Sequence, residues 1–182
     1  GCVLSETASR PILLVDWDLE APGLHRYFAG RMHRSTGRSE GDFSQTPGLI
    51  DLISELFEEL KGFSDKQRND FEFIRDWLRQ VQLSRFILPT DLPHLSLMTA
   101  GCFDDHYPSR IARFPWQALY EISPIFLQCL AERLATDHDY VLIDSRTGLT
   151  DTSGICTMLM PEVLVTVFTP NRQSLDGLSQ VI

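Results

Sequence analysis

The chain has 182 residues, of which 43% are hydrophobic and 23% charged, and its formal net charge is −9. That size and apolar content suit one globular domain with a sizeable core and argue against disorder. A surface this acidic repels a phosphate backbone unless a basic patch is set apart from it, which disfavours nucleic acid as a partner, and no apolar run reaches the roughly 18 residues of a membrane span.

The first residue is Gly rather than Met, as expected of a processed or partial chain. No charged segment followed by an apolar one marks a secretory signal, so a cytoplasmic protein is expected. Cysteines stand at 2, 102, 129 and 156, with no pair at the two-residue spacing of a zinc or redox motif. Cys129 and Cys156 fall in apolar surroundings and read as reduced packing residues. His25, Arg26, Arg31, His33, Arg34 and Arg38 form a local basic group. It reads first as a solvated loop and second as a docking surface for an acidic partner.

Along the chain, Ile12 to Val15 is a short apolar run ending in Asp16, the pattern of a strand buried on both faces. Pro22-Gly23 breaks it, and residues 30 to 46 read as a loop. Thr46 and Pro47 predict an N-cap and first helical position. Leu49, Leu52, Ile53, Leu56, Phe57 and Leu60 then follow at helical spacing up to Gly62. Ser64 opens a second helix carrying Phe71, Ile74, Trp77, Leu78 and Val81 on one face. Leu95 to Met98 predicts a strand ending at Thr99-Ala100-Gly101. Pro115 to Thr136 predicts a long helix that Pro124 kinks or splits. Tyr140 to Ile143 is another buried-type strand, ending in Asp144. Val163 to Phe168 is the last predicted strand, ending at Thr169-Pro170-Asn171, and Ser174 to Ile182 starts a helix. Strands alternating with helices argue a mostly parallel sheet covered on both faces, an α/β three-layer sandwich. A helical insertion is expected at about 47–82.

Ligands of open parallel sheets bind at the carboxyl ends of strands. Three predicted strand ends carry polar groups: Asp16 with Asp18 and Glu20, Asp144 to Gly148, and Thr169 to Asn171. Carboxylates aimed at one crevice suit a hydrated Mg²⁺ beside a phosphate. The plainer reading is that the aspartates cap the turns that follow them. Glu20 reads first as a cap of the Pro22 turn and second as a third acid of the Mg²⁺ shell, and Trp17, between two aspartates, as packing on the opposite side of the strand. Arg146 reads first as an ion-pair partner of Asp151 and second as a group that neutralises phosphate charge.

Several stretches resemble the ParA/MinD group (SIMIBI class) of P-loop NTPases. ILLVDWDLEAPGL is similar to that group's second strand and its Asp-x-Asp loop, and TPGLIDLI to the helix that follows. LSLMTAG resembles its next strand, DYVLIDSRTG its Walker B strand, and VLVTVFTPNRQSLDG the next strand with its nucleotide-facing loop. DWDLEAPGL and LIDSRTG are typical of a bacterial subgroup with a KGGVGR-type phosphate loop. That Gly-rich loop precedes the Asp-x-Asp strand by one helix. Here only eleven residues precede Ile12, with one Gly and no Lys. Residues 1–182 are therefore expected to be a single partial nucleotide-binding domain, with the preceding strand and the loop missing and Val3 to Ala8 the last turns of the first helix. Its sheet is expected to have a gap or an exposed edge. Alone, such a domain should bind nucleotide poorly, because the loop's N–H groups and Lys supply most of the phosphate affinity.

The resemblance implies an ATP-binding, Mg²⁺-dependent ATPase that acts in the intact chain as a nucleotide-dependent switch, with ATP driving homodimerisation. It implies roles as well. Asp16 and Asp144 hold waters of the Mg²⁺ shell, and Asp18 positions or activates the attacking water. Gly148 lets the backbone approach the γ-phosphate, and Pro170 and Asn171 lie beside the base. A competing reading is a non-catalytic scaffold whose loops 30–46 and 102–115 grip a partner through Tyr107, Phe114 and Trp116. A third is an unrelated metal-dependent hydrolase using Asp16, Asp18 and Asp144, but its histidines are scattered and lack zinc-motif spacing.

Overall fold

The computed structural model describes residues 2–7, 10–29, 46–145, 154–155 and 159–167. Its centre is a four-stranded sheet made of β1 (Ile12–Asp16), β2 (Leu88–Pro89), β3 (Leu95–Met98) and β4 (Tyr140–Asp144), in the order β2-β3-β1-β4. β1 pairs in parallel with β3 on one side and β4 on the other, while β2 runs antiparallel to β3. This central place explains the unbroken apolar run of β1. All five of its residues are buried, since neither face meets water.

Helices cover both faces. Ile12 and Leu14 of β1, with Leu95, Leu97 and Phe28, pack against α1 (Cys2–Thr7) and α2 (Leu24–Tyr27) through Cys2, Leu4 and Leu24. Leu13 and Val15 point the other way, into the larger core. That core is built by α3 (Leu49–Lys61), α5 (Phe71–Gln80), α6 (Tyr107–Arg113), α7 (Trp116–Ile122) and α8 (Phe126–Thr136). A single turn, α4 (Asp65–Arg68), joins α3 to α5. The arrangement is the expected α/β sheet between helical layers, with α3 to α5 as the helical insertion. Cys129 is buried in the core, and burial pushes its thiol up to about 11, which suits a packing residue. No helix among the described residues is long and apolar enough to cross a membrane.

Five local expectations are corrected or refined. The first predicted helix starts two residues late: Gly48, not Thr46, is its N-cap, and Pro47 stays outside. The cause is tertiary. The Leu49 and Ile50 amides donate to Thr99 O and Ala100 O at the end of β3 (2.8 and 3.0 Å), and Asp51 accepts from the Gly48 amide at 2.9 Å. The helix expected from Ser64 is broken at Asn69-Asp70, because Asp70 restarts it by accepting from the Phe73 amide at 3.1 Å. Asp70→Ala should therefore lower stability by about 1 kcal/mol in urea unfolding. Pro124 splits the long helix into α7 and α8, as one of the two expectations had it. β2, only two residues long, carries no readable period.

The fifth correction is larger. Residues 163–167 of the predicted last strand form no strand: Val163, Val165 and Val167 are 77%, 79% and 92% exposed. A strand is stabilised by its ladder, and among the described residues no strand pairs with the outer edge of β4. Val141, Leu142 and Ile143 are correspondingly only half-buried despite a pattern as apolar as that of β1.

Candidate functional site

The carboxyl ends of β1 and β4 form the site. The two strands are in register from Ile12 opposite Tyr140 to Asp16 opposite Asp144. Directly paired residues project to the same face of a sheet, so both acids leave the sheet side by side. The Trp17 amide extends the ladder by one bond, to Asp144 O at 2.8 Å. Trp17 itself points into the larger core and is 1% exposed, the packing role its alternation predicts.

After Trp17 the chain turns sharply, with the Leu19 amide donating to Trp17 O at 2.9 Å. Asp18 closes the next turn by accepting from the Ala21 amide at 3.3 Å. Asp16 holds the segment that follows: its Oδ2 accepts from the Gly23 and Leu24 amides at 3.2 and 3.0 Å. Turn capping is thus real for Asp16, as the plainer reading held, and Asp18 caps a turn as well; the turn after Asp144 lies outside the described residues. For Asp16 it accounts for only one oxygen. Its Oδ1 is buried and has no hydrogen-bond partner, and the residue is 0% exposed.

The electrostatics follow from that burial. Asp16 is pushed up to about 6, chiefly by desolvation; the negative charges of Asp144 and Asp18 add to this, and the Leu24 and Gly23 amides pull the other way. Asp144 is raised too, by burial first and then by Asp18. Acids clustered at the cost of their ionisation mark a site that gains from a positive charge or a proton. The donor set is of the kind a hydrated cation takes: hard carboxylate oxygens at neighbouring strand ends, one of them buried and without a hydrogen-bond partner. Among the described residues no three His, Cys, Asp or Glu side chains gather closely enough to hold a metal directly. A hydrolase metal bound directly by Asp16, Asp18 and Asp144 finds no support among them.

The carboxyl end of β3 is filled by protein, and the third predicted polar strand end, Thr169 to Asn171, lies outside the described residues. Thr99 O and Ala100 O of β3 are taken by the α3 amides, and Gly48 and Gly101 make this contact possible. A Cβ on Gly48 would lie 2.3 Å from Thr99 O, and one on Gly101 2.6 Å from Ile50 Cγ2. Gly148, Pro170 and Asn171 lie outside the described residues, as do Arg146, Asp151, Cys156 and most of the basic group at 31–38.

The roles of two residues that matter here escaped the sequence reading. Tyr107, expected as an exposed anchor, is buried, and its hydroxyl donates to Leu19 O at 2.8 Å. Arg110 pairs with both oxygens of Asp104 at 3.0 Å, bonds Cys102 O and lies 3.5 Å from Asp51. Neither sits in a motif, and only the meeting of three loops reveals them. Phe114 and Trp116 are half-buried and in tilted contact, ring centroids 4.5 Å apart, with Phe114 also against Phe57.

No protein-family model matches the chain, and no curated protein matches it. A solved structure that resembles it is the chimerical protein CapA2B2, with a TM-score of 0.51 and 16% identity. The likeness covers 99% of this chain and 58% of that one, so the chain spans a little over half the length of its structural neighbour. At that identity the likeness concerns the fold: the chain shares an α/β architecture, a mostly parallel sheet between helices, with CapA2B2.

Proposed function

We propose that this chain is the greater part of a ParA/MinD-like nucleotide-binding domain, and that in the intact protein it works as a Mg²⁺-dependent ATPase and ATP-driven dimerisation switch. The observation that carries the reading is the side-by-side exit of Asp16 and Asp144 from neighbouring parallel strands, with one buried Asp16 oxygen unpartnered. Strand ends of a parallel sheet are where such folds bind phosphates. Asp16 and Asp144 would hold Mg²⁺ through its waters, and Asp18, at the lip of the same crevice, would orient a water. Bound Mg²⁺ supplies charge neutralisation for the transferred phosphoryl group. The residues' own part is positional: the Gly23 and Leu24 amides hold Asp16, and the β1–β4 ladder holds Asp144 beside it.

Calorimetry on the chain extended upstream through its natural sequence tests the reading. Mg²⁺–ATP should bind, and Asp16→Ala or Asp144→Ala should abolish hydrolysis, a loss on the order of 10²-fold or more when an electrostatic group acting on the transition state is removed. Silent titrations with ATP, ADP and GTP alike would end it. A non-catalytic scaffold is the second reading, favoured by the turn-capping bonds of Asp16 and Asp18. It predicts the same fold with no nucleotide heat.

A further inference from the structure

The loop that carries Asp18 is held from two directions. From within, Asp16 grips the Gly23 and Leu24 amides. From outside, the hold comes from the first residue of α6, Tyr107, which is 8% exposed. Its ring lies so close to the backbone at the end of β3 that a Cβ on Gly101 would meet Tyr107 Cε2 at 3.0 Å. Phe103 packs on the same ring at 4.9 Å and in turn stacks on His25 of α2 at 4.2 Å. The Tyr107 hydroxyl then donates to Leu19 O, the carbonyl next in sequence to Asp18. Buried hydroxyls and carbonyls are costly unless paired, so this bond has a definite partner on each side.

The base of this contact is rigid. Arg110, one turn further along α6, grips both oxygens of Asp104 and the Cys102 carbonyl. Asp51 of α3 accepts from the Cys102 amide at 2.7 Å and from the Gly48 amide at 2.9 Å. The 102–107 loop is thereby tied to α3 and to the end of β3, and Tyr107 extends that frame to the acidic loop.

We propose that Tyr107 is a positioning residue for the carboxylate crevice, its hydroxyl holding the 17–20 loop so that Asp18 stays beside Asp16 and Asp144. Its link to cation binding rests on the proposed function above; its link to loop geometry does not. Tyr107→Phe in the 182-residue chain removes the hydroxyl and keeps the ring. By native-state hydrogen exchange, the amides of Ala21, Gly23 and Leu24 should exchange about fivefold faster, the loss expected for one hydrogen bond. Leu14 and Leu97 amides report global stability in the same experiment. Loop amides unchanged, whatever the core amides do, would overturn the proposal. As a second readout, Mn²⁺ broadening of the Asp16 and Asp144 amide signals should need about fivefold more metal in the variant. Equal Mn²⁺ titrations of the two chains would also count against Tyr107. No broadening in the unsubstituted chain would instead defeat the cation site, and the exchange result would then decide the role of Tyr107 by itself.

Discussion

Asp16→Asn should stabilise the fold at pH 7.5, by about 2 kcal/mol. Asp16 titrates near 6 in the folded chain, above its ordinary value of 3.8. The native state therefore binds this proton more tightly than the unfolded chain does. The resulting stabilisation is fully present below pH 3.8 and is lost as pH rises through about 6. Above that, the fold carries a buried carboxylate at a cost of about 3 kcal/mol, taking 1.36 kcal/mol per pH unit. Asn keeps an oxygen to accept from Gly23 and Leu24, and it removes the charge. Its new N–H₂, placed where Oδ1 now has no partner, returns part of the gain. At pH 4 the two proteins should differ little, and the variant's stability should be flatter between pH 4 and 6. Urea unfolding at pH 4 and 7.5 reads both. A variant less stable than its parent at pH 7.5 would mean that the charge serves the fold. The expected result, a stability gain at a position held against burial, is the mark of a residue kept for binding.

The opposite extreme is Gly48→Ala, which should cost about 3 kcal/mol or more and shift the urea midpoint accordingly. Gly48 has extended backbone angles, φ −136° and ψ −150°, so conformation alone does not demand glycine. Space does. An added Cβ would sit 2.3 Å from Thr99 O, 2.6 Å from Thr99 Oγ1 and 2.7 Å from the Gly101 amide. Two of those neighbours are backbone and cannot rotate away. Relief requires α3 to withdraw from β3, which breaks the Leu49 and Ile50 bonds to Thr99 O and Ala100 O. Overpacking of this kind costs about 1–3 kcal/mol by strain alone, and each buried bond left unmade adds to it. A loss below about 1 kcal/mol would show that α3 can withdraw from β3 without breaking the Leu49 and Ile50 bonds.

What the residues declare by themselves is period and punctuation. The unbroken apolar run of β1 announced a buried parallel strand, because a chain covered on both faces has no reason to alternate, whereas the equally apolar run of β4 announced a strand but not its half-exposed place. The stripe from Leu49 to Leu60 announced α3, and Pro124 announced a break. The acids at the ends of ILLVD and YVLID marked the strand ends, where ligands of parallel sheets approach. Tertiary structure decided the rest. Register placed Asp16 opposite Asp144, a fact no local pattern encodes. Burial, not residue type, raised Asp16 and left one of its oxygens without a partner. Gly48 took the cap from Thr46 because the helix docks on β3 through its first amides. The valines at 163, 165 and 167, strand-like in every local respect, stayed exposed, because a strand is made by the neighbour beside it rather than by its own side chains.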